Sequence, residues 1–134
     1  RANTTVNAAV YSAVIEEDGS LTPWDQETDM PFPTYSASCC AIGDTLLSVA
    51  GRYQKGPSTN AIWSMTVGGS TLGVWESRGS DLEARMYHSF GIDAARGWVF
   101  VTGGRHRSGA AGDSGHFVDA VQAFRVPLLG PLQP

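Results

Sequence analysis

Apolar residues recur along this chain in short bursts of four to seven, with polar, Gly-rich or Pro-rich stretches between them. The bursts read as strands rather than helices, because they are short, rich in β-branched and aromatic residues, and closed by turn residues. The stretch from Arg85 to Arg105 is the clearest case. Met86–Ile92 predicts one strand and Trp98–Thr102 a second, with Asp93–Gly97 as the turn. The second run is continuously apolar and β-branched, a pattern that predicts burial on both faces. Gly103-Gly104 then ends the strand where the backbone needs freedom that a β-carbon would deny.

The pattern repeats. Val10–Ile15 falls on Ile62–Val67, and Leu21-Thr22-Pro23-Trp24 on Leu72-Gly73-Val74-Trp75. Pro33-Thr34-Tyr35-Ser36 falls on Arg85-Met86-Tyr87-His88, and Leu46–Arg52 on Val99–Arg105. The offsets are 51 to 53 residues. A further copy starts at Asp119–Val126, matching Asn60–Val67. Self-similarity at this period is the mark of a repeat architecture. Each unit of about 50 residues predicts four short strands, and the chain holds about two and a half units.

The first unit supplies strands at Ala9–Ile15 and Leu21–Asp25 about a turn at Asp18-Gly19. The second predicts strands at Tyr35–Ile42, Thr45–Ala50, Ala61–Val67 and Gly73–Ser77. The third predicts them at Tyr87–Ile92, Trp98–Thr102 and Phe117–Val126, with a weak fourth near Leu128–Leu132, which Pro127 and Pro131 keep short.

This set resembles the kelch-type β-propeller repeat. The third unit carries Arg85, His88-Ser89 and the apolar strand ending in Gly103-Gly104, and Trp75 and Trp24 stand where the family has a Trp in its fourth strand. The Asp-Gly-Ser-Leu-x-x-Trp phrase at residues 18–24 is similar to bacterial kelch-like repeats. The second unit departs from the family with Pro33, Ser36-Ala37 and Ala50-Gly51. The resemblance implies an all-β fold: a portion of a kelch-like β-propeller with four-stranded antiparallel blades, as one domain divided into residues 1–31 (half a blade), 32–80 and 81–134. Such propellers close with about six or seven blades. Two and a half cannot close a ring, and bare end blades expose apolar faces and a free strand edge. Assembly with further copies of the chain, or with other propeller blades, is therefore expected.

Hydrophobic content of 42 % allows a core, and 16 % charged residues with a net charge of −4 disfavour nucleic acid or an anionic membrane as partner. No stretch is long and apolar enough for a membrane span. The opening on Arg1, with Lys55 as the single lysine, leads us to expect a secreted, extracellular mature product or a piece of a longer protein. Asn3-Thr4-Thr5 fits a glycosylation triplet. Cys39 and Cys40 are neighbours that point to opposite faces of a strand, so we expect two unpaired, buried thiols or a bond to another chain.

Candidate binding residues cluster in the Gly-rich link that lengthens the third unit: Arg105, His106, Arg107, Asp113 and His116. Insertions of this kind carry binding in repeat proteins. Spacing in this link matches no metal motif, and Arg105 and Arg107 flank His106, so no metal and no cofactor is expected. Trp24, Trp75, Tyr35, Tyr87, His88, Gly103 and Gly104 recur at repeat positions and are expected to pack within or between units. Neither a nucleophile elbow nor a phosphate loop occurs. The reading is a non-catalytic interaction module with a protein or carbohydrate ligand. The alternatives are a secreted carbohydrate-binding module that uses an exposed Trp, and a fragment of a larger kelch-type enzyme.

Overall fold

The computed structural model describes residues 6–54, 56–68 and 71–126. The chain is all-β, with fourteen strands in antiparallel sheets and no helix among the described residues. The Asn3 triplet, Lys55 and the strand expected near Leu128–Leu132 lie outside the described residues.

The first unit is a hairpin of β1 (Tyr11–Ser12) and β2 (Asp25–Gln26), extended by a bridge between Ile15 and Leu21. At its tip the Asp18 carboxylate accepts from the Ser20 amide at 2.9 Å, which fixes the turn. The chain then enters β3 (Thr34–Tyr35) and a hairpin of β4 (Ser38–Ile42) and β5 (Thr45–Val49). β6 (Arg52–Tyr53) returns to pair β3. β7 (Ile62–Gly68) pairs β5 along five residues, from Val49–Ile62 to Thr45–Thr66. Its far edge is shared between β8 (Thr71–Leu72) and β9 (Glu76–Gly79), with an irregularity at Ile62/Trp63. Of the expected Gly73–Ser77 strand only Glu76 and Ser77 pair, as the start of β9; Gly73–Trp75 link β8 to β9 instead.

The third unit builds β10 (Ser89–Asp93), β11 (Trp98–Thr102), β12 (Arg105–His106), β13 (His116–Phe117) and β14 (Val121–Arg125). β10, β11 and β14 form one three-stranded sheet, and β12 pairs β13 beside it. The expected Phe117–Val126 strand is broken at Val118–Ala120, where the Val118 amide donates to Gly104 O at 3.0 Å.

Strand register carries the repeat into three dimensions. The pairs Tyr11–Gln26 and Ser12–Asp25 recur as Trp63–Ser77 and Ser64–Glu76, and Ile15–Leu21 recurs as Val67–Leu72. The row Ser38–Val49–Ile62 recurs as Ser89–Thr102–Val121. One sequence match is corrected by a residue. Tyr35 pairs Arg52 as Met86 pairs Arg105, so the counterpart of Tyr35 is Met86, not Tyr87. The backbone agrees: Ser36 and Tyr87 share a left-handed φ of 56° and 54°, and Gly51 and Gly104 share a φ of 103°. A β-carbon on Gly104 would lie 2.8 Å from Met86 O, and one on Gly51 would lie 3.0 Å from Tyr35 O. Side-chain identity drew Tyr35 onto Tyr87, whereas the backbone aligns by its turns.

The core lies between the second and third sheets. Ile42, Leu47, Val49 and Ile62 from one face meet Val99, Val101, Leu82 and Val126. Each such side chain contributes about 1.5–3 kcal/mol on burial. In β5 the consecutive residues Leu47, Ser48 and Val49 are all buried, because both faces of that strand are covered. β11 differs. Val99 and Val101 are fully buried, but Trp98 and Phe100 are 38 % and 42 % exposed. The expectation of two-sided burial for Trp98–Thr102 is thus overturned: no layer among the described residues covers its outer face.

Candidate functional site

Arg85 is the hub between the units. Its fully buried guanidinium donates to Glu83 O (3.0 Å), Gly103 O (3.1 Å), Ala120 O (3.1 Å) and Gln122 Oε1 (2.5 Å). The Glu83 carboxylate stands 3.8 Å away. The Arg85 backbone also bridges the units: its amide donates to Thr59 O and its carbonyl accepts from Gly51. The fork of donors satisfies carbonyls that the sheet ends leave open.

The Gly-rich link is tied down. Ser58 of the preceding unit exchanges bonds with Arg107, its amide donating to Arg107 O at 2.8 Å and its Oγ accepting from the Arg107 amide at 3.0 Å. The Arg107 side chain donates to Asp113 O through Nε at 2.9 Å and through Nη2. Asp113 turns inward: its carboxylate accepts from Ser108 Oγ (2.7 Å), Ser108 N (2.6 Å) and Gly115 N (2.6 Å). These donors, the Ser108 hydroxyl foremost, hold its carboxyl down at about 2.

His106 and His116 face each other across the β12–β13 ladder with ring centres 5.0 Å apart. Glu83, not Asp113, supplies the nearby carboxylate, 4.0 Å from His116 Nε2. Arg105 lays its guanidinium 5.8 Å from the Phe117 ring centre. Of the five loop residues, the fold brings His106 and His116 together and commits Arg107 and Asp113 to holding the loop. Among the described residues, no group of three His, Cys, Asp or Glu is placed to hold a metal ion.

The repeat-position residues divide. Tyr35 packs: its hydroxyl accepts from Arg52 Nη1 at 3.0 Å. Gly103 and Gly104 serve turn geometry. Trp75 is half-buried, and its Nε1 has no partner among the described residues. Trp24 and Tyr87 do not pack as expected; both are exposed, Trp24 at 63 %. The His88 ring is half-buried, with neither nitrogen partnered among the described residues, and burial, helped by the Arg85 charge, lowers its pKa. Cys39 is exposed and Cys40 half-buried, which corrects the expectation of two buried thiols; burial first, then the neighbouring Cys39, pushes the Cys40 thiol up.

Two apolar surfaces complete the picture. The outer face of the third sheet carries Trp98, Phe100 and Val121, with Val121 69 % exposed and Trp98 stacked on Phe100 at 6.3 Å. A cavity of about 460 Å³ lies between β5, β7 and β14, floored by Leu47, Ile62 and Phe124 and rimmed by Arg78, Asp81 and Arg125. Trp98 to Val101 are apolar at every position, so the sequence carries no alternation that would mark this face as bare.

Compared with known proteins, the chain matches no family model and no curated sequence.

Proposed function

We propose that this chain is a non-catalytic interaction module of kelch-like blades that completes its fold by assembling with further chains. The bare outer face of the third sheet carries this reading. Its residues are the repeat counterparts of the second-sheet face that builds the core: Phe100 stands for Leu47, Val121 for Ile62 and Thr102 for Val49. In the second unit that face is buried against its neighbour; in the third the same positions meet solvent. A contiguous apolar sheet face of this kind is a docking surface. An apolar dye such as anilinonaphthalene sulfonate, together with light scattering, tests it. Either dye binding that Phe100→Arg abolishes or assembly that Phe100→Arg disrupts supports the reading. A monodisperse monomer that binds no dye overturns it.

A second reading rests on Trp24, whose exposed ring offers a flat apolar face for stacking on a sugar. Oligosaccharides that shift tryptophan fluorescence in the wild type but not in Trp24→Ala would support it; no shift with any of them discards it.

A further inference from the structure

We propose that the open face of the third sheet receives the open side of the first unit of a second copy of this chain, head to tail. The inference rests on the interaction reading above and names the partner and the surface.

The chain contains the template for this contact. Each unit has two faces. The face with Ile42, Leu47, Val49 and Ile62 is the one by which the second sheet grips the third. The gripped face carries Val99, Val101 and Phe124, and its counterpart in the second sheet carries Leu46, Ser48, Trp63 and Met65. That counterpart is also covered: Ser48 and Met65 are buried, and Phe32, at the start of the second unit where the first unit leads in, lies with its ring centre 6.3 Å from that of Trp63. Continuing the series in both directions leaves one face of each kind open among the described residues. At one end is the gripping face with Trp98, Phe100 and Val121. At the other are the first-unit residues equivalent to Trp63 and Val67, namely Tyr11 and Ile15, 53 % and 73 % exposed. A contact of unlike faces is heterologous, so copies add in series and stop only where the rotation closes a ring.

Charge favours the same pairing. The described part of the first unit carries Glu16, Glu17, Asp18, Asp25, Glu27 and Asp29 and no lysine or arginine. The gripping face of the third sheet carries exposed Arg125 at the Trp98 register position; Arg96 in the adjoining turn is paired with Asp93 at 2.8 Å, so among the described residues Arg125 is the positive charge this row leaves uncompensated. Two first units, or two third sheets, would oppose like charges; the head-to-tail pairing opposes unlike ones.

Sedimentation velocity from micromolar to near-millimolar chain is the test, with urea midpoints to establish that each variant is folded. The wild type is expected to populate multiples of the 14.2 kDa chain. Phe100→Arg and Tyr11→Arg each destroy one end. Each alone should stay monomeric, and an equimolar mixture should give a heterodimer, because each retains the end that the other has lost. A Tyr11→Arg variant that still assembles alone overturns the head-to-tail geometry. A wild type that stays monomeric at every concentration overturns self-assembly. Dye binding then separates the two ideas: a monomer that binds dye through Phe100 leaves the interaction reading standing, and one that binds none removes both.

Discussion

Arg85→Met removes a buried charge and leaves its acceptors in place. The methionine fills much of the aliphatic space but donates nothing. The Gly103 and Ala120 carbonyls and the Gln122 amide oxygen, all on half-buried residues, lose donors at 3.1, 3.1 and 2.5 Å. Hydrogen bonds to charged groups contribute about 1.5–3 kcal/mol each, but they are not additive. What remains are neutral acceptors, each costing about 1–3 kcal/mol when left unsatisfied, and for the three together we expect a loss of about 3–5 kcal/mol. Against a total stability of about 5–15 kcal/mol the variant stays folded only in part or at low denaturant. The assay is urea unfolding followed by tryptophan fluorescence. With a slope of about 1.5–2 kcal/mol per molar, the midpoint should fall by roughly 1.5–3 M. Arg85→Lys keeps the charge and loses the fork, so it should fall between the two. A methionine variant within about 1 kcal/mol of the wild type would refute the hub, because such a cost is that of a surface ion pair.

Gly104→Ala should destabilise by about 1–3 kcal/mol, since it combines a left-handed residue with a β-carbon 2.8 Å from Met86 O; an unchanged urea midpoint would disprove the close approach. His88 has a folded pKa below its ordinary value, so the unfolded chain takes up a proton first as pH falls. Stability should therefore be full above the ordinary histidine pKa and decline below it, and His88→Gln should flatten that part of the midpoint-versus-pH profile; equal slopes in both proteins would exclude it. Asp113 is held down at about 2, so its hold on the Ser108 and Gly115 amides should persist through mild acid and fail only as pH approaches that value. Asp113→Asn should loosen the loop at neutral pH, read as faster hydrogen exchange at those two amides, and unchanged exchange would show that the carboxylate does not hold them.

Much of the strand plan was legible because it rests on local chemistry. Trp98–Thr102 is the strand that its β-branched run predicts, and the link before it turns at Ala94–Gly97, with Gly97 at a left-handed φ of 73°. The period of about 50 residues was legible too, since equal positions in equal sheets keep equal polarity. The candidate site was less so. Asp113 and His116 are close in sequence, yet the carboxylate that reaches His116 is Glu83, brought in by the path of the chain between sheets. Trp24 and Trp75 are repeat counterparts by register, yet one is exposed and the other half-buried, because burial depends on whether a neighbouring sheet follows.

The sequence by itself determined the all-β class, the hairpins and the recurrence of their pattern, all of which follow from side-chain alternation and turn chemistry over a few residues. Only the tertiary structure decided which faces are covered, that Tyr35 answers to Met86 and not Tyr87, and that Arg85 is a buried clamp while Phe100 faces water. These depend on which sheet stacks on which, and no residue encodes locally the layer that lies across from it.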